Sequence, residues 1–211
     1  MADRRLGTQQ QCPDLPRAQD MTSRTGRRAV LCCALAAGLV RPAWADEGDD
    51  PARMERPKAG DLLVYSWGEH EGAVIKPADL QVGGPPAVAW AFDPEKKVPR
   101  DGSRLNQVLL VRVDPAKLTQ DAQARAADGV IAFSAICTHA QCTVTGWVEA
   151  KHIFQCPCHQ SEYDPMQAAK VVGGPAPRPL PALPLKIADG ALQVAGPFIG
   201  HVGVLKQPGT G

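Results

Sequence analysis

The sequence predicts an antiparallel all-β fold, a sandwich or a barrel. Three observations carry this. Gly and Pro number 20 each in 211 residues, together about 19% against an average of roughly 12%. Such a chain has many turns and short elements, and no room for long helices. Several short runs rich in Val, Leu and Ile are separated by turn residues, the pattern of antiparallel strands. Aromatics are only 5%, so the core must rest on Val, Leu, Ile and Ala.

The elements follow in order. Residues 46–60 are charged and contain Pro, which reads as a flexible arm. Strands are expected at 61–66, 87–92 and 105–113, with a turn-rich stretch at 93–103. The Ala, Gln and Arg of 115–127 favour a short helix. Residues 130–136 form a strand that runs into a cysteine cluster. Residues 142–148 and 152–156 suit a hairpin around 149–151, and a short segment lies at 162–164. Five prolines then fall within 173–184. Residues 185–188 and 191–195 pair across Asp189-Gly190, since Asp-Gly between apolar runs is a strong hairpin signal. Trp67, Trp90 and Trp147 read as core or strand residues. Lys96 and Lys97 beside Arg100 read as a solvated turn rather than a docking patch.

The first 45 residues read as an address. Residues 1–28 are net basic, with six Arg against three Asp, and residues 29–40 carry no charge. Ala43-Trp44-Ala45 follows, and then an acidic stretch. A basic segment, a short apolar run and a small-x-small site make an export signal. Arg27-Arg28 before the apolar run points to the twin-arginine type and hence to the periplasm. Twelve apolar residues are too few for a span of about 20, so membrane contact is expected only if the signal is kept. Cleavage after Ala45 would lower Lys+Arg from 23 to 16 and Asp+Glu from 22 to 19, giving about −3. Of the seven cysteines, three would leave with the signal (Cys12, Cys32 and Cys33). The whole-chain charge of +1 is no footprint for nucleic acid.

The four remaining cysteines and two histidines form a constellation: Cys137-Thr-His139-Ala-Gln-Cys142 and Cys156-Pro-Cys158-His159-Gln-Ser161. Each cluster offers one Cys and one His at close spacing, plus one further Cys. Zinc can be held by two Cys and two His, but a closed zinc site needs no extra cysteine pair. Two plain disulfides would leave both histidines without a role.

The pattern C-x-H-x16-C-x-x-H with two extra cysteines resembles the Rieske [2Fe–2S] proteins. The resemblance runs from about residue 129 to 184. It implies a Rieske-like antiparallel β-sandwich over 61–200, with a small cluster-binding subdomain at about 134–184 and a tail at 201–211. It implies that Cys137 and Cys156 bind one iron, His139 and His159 the other, and that Cys142 and Cys158 form a disulfide. Ser161 and Tyr163 stand where the high-potential branch places hydroxyls that donate to the cluster sulfurs. Gly174, Pro175 and Pro177 match the proline loop that covers the cluster.

The implied chemistry follows from charge. Two Fe³⁺, two sulfides and two thiolates sum to zero, so reduction leaves only −1. Rieske centres accordingly lie at roughly −150 to +300 mV, against about −400 mV for plant-type ferredoxins. Donors to sulfur raise the potential further.

The rest of the chain selects among Rieske functions. A catalytic oxygenase also needs a mononuclear iron held by two His and a carboxylate. After Pro184 only His201 remains, and no H-x3–5-H pair occurs anywhere. His70, His152 and His201 read as surface or structural. A cytoplasmic ferredoxin does not suit an export signal and a disulfide pair. An exported high-potential one-electron carrier fits, resembling the small subunit of arsenite oxidase, whose partner is a molybdopterin catalytic subunit. The alternative is the iron–sulfur subunit of a cytochrome bc complex, with a cytochrome as partner. That type tends to carry Leu-Gly where this chain has Ala140-Gln141, and Gly where it has Gln160.

Overall fold

The structure is a computed structural model that describes residues 50–205. The expected export signal lies outside the described residues. Twelve strands run in chain order: β1 (Leu62–Tyr65), β2 (Ala87–Asp93), β3 (Val98–Pro99), β4 (Val108–Arg112), β5 (Val130–Ser134), β6 (Gly146–Val148), β7 (Ile153–Gln155), β8 (Glu162–Asp164), β9 (Lys170–Gly173), β10 (Ala182–Leu183), β11 (Leu185–Ala188) and β12 (Ala191–Val194). One α-helical turn, α1 (Gln120–Gln123), is capped by the Thr119 hydroxyl. Among the described residues no helix is long and apolar enough to cross a membrane.

The strands form two antiparallel sheets. The larger has the order β10-β5-β4-β2-β1-β12-β11, with β3 on the flank of β2. Its end strands β10 and β11 are separated in the chain by Pro184 alone. Two virtual bonds of about 3.8 Å cannot bridge a flat sheet, so the sheet curls until its ends meet. Of the two expected architectures, this sheet takes the barrel form. The second sheet has the order β6-β7-β8-β9.

The smaller sheet is an insertion. β5 pairs with β10 at Ala182–Phe133 and Leu183–Ala132, so the chain leaves the barrel after Ser134 and rejoins it at Ala182. Everything between belongs to the inserted unit. The strands at the junction explain their own composition. Val108 and Leu110 of β4, with Val130 and Ala132 of β5, face the barrel interior alongside Leu63, Leu183 and Leu192. Their alternates Leu109, Val111, Ile131 and Phe133 face outward onto the inserted unit, with Phe154, Tyr163 and Leu180. Strands buried on both faces carry unbroken apolar runs rather than alternation. Phe133 and Phe154 meet edge to face, centroids 6.0 Å apart.

Several expectations are corrected. β4 begins only at Val108, because the Ser103 side chain caps a 3-10 turn over Arg104–Asn106. The buried Asn106 amide donates to the carbonyls of Glu55 and Arg100. The described part of the supposed arm is packed, not loose: residues 51–54 form a 3-10 turn with Ala52 buried. Trp67 is not a core residue but 66% exposed.

Arg100 is not part of a surface turn either. It is fully buried, its Nε and Nη2 hold Asp61 at 2.6 and 2.8 Å, and Nη2 also reaches Asp93 at 3.0 Å. Nη1 donates to the Ala52 carbonyl and to Glu55 at 3.1 and 2.8 Å. The guanidinium fork thus fastens 52–55 and 61 to the β2–β3 turn. Lys58, hydrogen-bonded to Glu55, and Lys96 hold that carboxyl down at about 2. Its stabilising contribution is therefore whole above about pH 4.5 and fades as pH falls toward 2. We expect Arg100→Met to cost about 3–5 kcal/mol, because two buried carboxylates lose their partner. Urea denaturation at pH 7 measures this; a loss below about 1 kcal/mol would contradict the assignment.

Candidate metal centre

Two loops of the inserted unit are built alike. In the first, the Cys137 N–H donates to the Cys142 carbonyl at 2.9 Å and the Gln141 N–H to the Cys137 carbonyl at 3.0 Å. In the second, the Cys156 N–H donates to the Ser161 carbonyl and the Gln160 N–H to the Cys156 carbonyl, both at 2.9 Å. This closure puts the fifth loop residue in the left-handed region: Gln141 at φ 58° and Gln160 at φ 57°. A left-handed backbone of this kind suits Gly best, and here two Gln adopt it.

The loops bring together all six expected residues. Cys137 and Cys156 are buried free thiols. The rings of His139 and His159 meet edge to face with centroids 4.7 Å apart. His139 is half-buried and His159 exposed. Cys142 and Cys158 are joined by a disulfide. The Cys156 sulfur lies within 4.8 Å of both disulfide sulfurs. A disulfide supplies no thiolates, so Cys137, Cys156 and the two imidazoles are the donors this site can offer.

The surroundings favour negative sulfur at Cys137 but not at Cys156. Burial pushes the Cys137 thiol up, but the Tyr163 hydroxyl and the backbone N–H groups of His139 and Ala140 outweigh it, and the net shift is downward. Backbone N–H groups of Cys158 and His159 likewise reach Cys156, although burial keeps that thiol high. The Tyr163 oxygen lies 3.2 Å from Cys137 Sγ and accepts from the Thr138 N–H at 3.4 Å. Its own proton is thereby left for the sulfur. Burial, foremost, and the neighbouring Cys137 raise the Tyr163 pKa, so the hydroxyl stays a donor at neutral pH.

The proline segment lies against the second loop. Gly174 sits at φ +76°, and a Cβ there would come within 2.6 Å of Ser161 Cα. Ala176 is buried in the shared core, while Pro175 and Pro177 face outward. The close contact with the second loop is thus made at Gly174, and the neighbouring prolines stiffen the segment.

Two buried polar atoms test what the site would hold. His139 Nδ1 and Ser161 Oγ have no hydrogen-bond partner in the protein, although both are buried. Orphaned polar atoms of this kind call for an explanation such as an ion. A metal–sulfide group supplies both needs: iron for the imidazole nitrogen and sulfide for the hydroxyl proton. Two thiolates and two imidazoles facing one another fit a mixed-ligand iron–sulfur cluster.

The site therefore offers two sulfur and two nitrogen donors, a set that fits an iron–sulfur protein. A family model for the Rieske [2Fe–2S] domain matches residues 90–184. The Rieske iron–sulfur subunit of the cytochrome bc1 complex of Streptomyces lividans is 30% identical over 170 residues, 76% of this chain and 96% of that protein. Its counterpart in Streptomyces coelicolor is 31% identical over 151 residues, 68% of this chain but 41% of that protein. A putative respiratory nitrate reductase Rieske subunit of Haloferax mediterranei is 45% identical over 76 residues, 36% of this chain and 34% of that protein. The chain thus spans less than half the length of the latter two relatives. It belongs to the Rieske [2Fe–2S] protein family, and its cofactor is a [2Fe–2S] cluster. When bound, that cluster takes up and releases one electron at a comparatively high potential.

The sequence did not single out Thr138 or the strain at Gln141. Only the absence of the family's Gly hinted at the latter. We predict that Ser161→Ala and Tyr163→Phe each lower the midpoint potential, read by protein-film voltammetry; an unchanged or higher potential in either would contradict the donor roles. Gly174→Ala should lose iron during purification, because a methyl group there overlaps the Ser161 backbone; full iron retention would show that the segment is not seated as described.

Proposed function

We propose that this Rieske electron-transfer protein is an exported, high-potential one-electron carrier serving as a subunit of a larger respiratory oxidoreductase. Cys137 and Cys156 hold one iron, and His139 and His159 the other. The exposed His159 edge is where the electron enters and leaves. Ser161 and Tyr163 set the high potential, and the Tyr163–Cys137 contact is the observation that carries this part of the reading. In this reading the chain carries the electron and the partner carries out the catalytic step.

Two partners are weighed. A molybdopterin catalytic subunit of the arsenite-oxidase type is favoured by the short apolar run at 29–40 and by Ala140. At the exposed tip of the first loop that small residue offers little apolar surface for a quinol-binding protein. A cytochrome bc complex is favoured by the extent of the similarity to the S. lividans subunit. Purification of a tagged chain from its native host discriminates them. A co-purifying molybdenum subunit supports the first reading, a cytochrome b the second, and an apoprotein without any redox partner contradicts both.

Export rests on the Arg27-Arg28 pair and the small-x-small site. Arg27→Lys with Arg28→Lys should leave the cluster-loaded chain in the cytoplasm. Immunoblots of periplasmic and cytoplasmic fractions measure this; unchanged periplasmic yield would overturn the export route.

A further inference from the structure

The C-terminal residues, expected to be a tail, begin as a strap beside the first ligand loop. The Ile199 N–H donates to the Ala182 carbonyl at 2.7 Å, which aligns the strap with β10. Four residues later Gly203 is buried, at φ +78°, against the Gln141 side chain. A Cβ on Gly203 would meet Gln141 Cδ at 3.3 Å. The strap therefore touches the first ligand loop two residues beyond His139.

One residue connects this strap to the site. Arg178 lies in the proline segment and is half-buried. Its Nη1 donates to the His201 carbonyl at 2.6 Å and its Nη2 to the Gly203 carbonyl. Its own carbonyl accepts from the Thr138 hydroxyl at 2.7 Å. Thr138 stands between Cys137 and His139, and its N–H also reaches Tyr163. A single residue thus ties three segments that are remote in sequence: the first ligand loop, the proline segment and the strap.

The chemistry suits a clamp. A guanidinium offers a rigid fork of donors that a lysine cannot copy. Hydrogen bonds from a charged donor are about twice as strong as neutral ones. Strap carbonyls 201 and 203 gain donors on the protein side instead of water. The strap in turn occupies the flank of the loop that carries Cys137 and His139.

We propose that Arg178 is a positioning residue for electron transfer, clamping the strap at 201–203 onto the first ligand loop and thereby fixing the Cys137–His139 segment. The proposal rests on the ligand assignment above. It adds a function for the chain's C-terminal residues and for an arginine outside the metal-binding motif.

The test uses full-length, cluster-loaded protein. Arg178→Met should broaden the EPR lines of the reduced protein, because a loosened loop samples more ligand geometries. Iron loss to a chelator should become about tenfold faster, the factor that one hydrogen bond from a charged donor can supply. Arg178→Lys, which can still reach one carbonyl, should restore part of both effects. Gly203→Val displaces the strap from its other side by crowding Gln141. It should reproduce both effects, and the double variant should be no worse than either single one. Wild-type line widths and chelation rates in Arg178→Met would overturn the clamp, as would fully additive effects in the double variant. A wild-type protein without a cluster would instead overturn the ligand assignment.

Discussion

Two loops must present their sulfur and nitrogen donors to one shared cluster, and the rest of the inserted unit is arranged around that demand. The loops share one backbone closure and one bend at the fifth residue. The Cys142–Cys158 disulfide joins them across a separation of 16 residues. Closing a loop of about that length removes roughly 3 kcal/mol of freedom from the unfolded chain. This covalent tie adds to the packing of Cys137 and Cys156 in the core. Gly174 then lets the proline segment approach the second loop closely, and Arg178 and the strap flank the first.

The barrel supplies the platform. Its β4 and β5 are buried on both faces, so the inserted sheet is packed onto a rigid support rather than hinged on a linker. Phe133, Phe154 and Tyr163 lie in that shared core. Tyr163 therefore links barrel packing to the electronics of the site: one end of the side chain fills the core, and the other end donates to sulfur. A substitution in the core beneath it can shift the potential without touching a ligand. Arg100 does for the N-terminal segment what Arg178 does for the C-terminal one, mainly with carboxylates in place of carbonyls.

Much of this was legible in the sequence, for a physical reason. Metal ligands on tight loops must sit at fixed short spacings, and those spacings survive as a pattern in one dimension. The Asp189-Gly190 hairpin and the double-sided runs of β4 and β5 are local too, and they stood out. The partners of Arg100 and Arg178 did not, because they join positions up to 48 residues apart. Nothing in a charged residue's neighbours tells whether it will be solvated or buried against distant carboxylates. Trp67 errs the other way: an aromatic residue looks like core from composition, yet this one lies beyond the end of β1 where no element covers it.

The central claim is that Cys137, His139, Cys156 and His159 form one mixed sulfur–nitrogen iron–sulfur site. Its most direct test is iron and acid-labile sulfide analysis of the purified protein, joined to EPR of the reduced form with nitrogen couplings resolved. The account predicts two irons and two sulfides per chain, with couplings from two imidazole nitrogens that disappear stepwise in His139→Cys and His159→Cys. Stoichiometric zinc without sulfide, or a cluster with no nitrogen coupling, would contradict it.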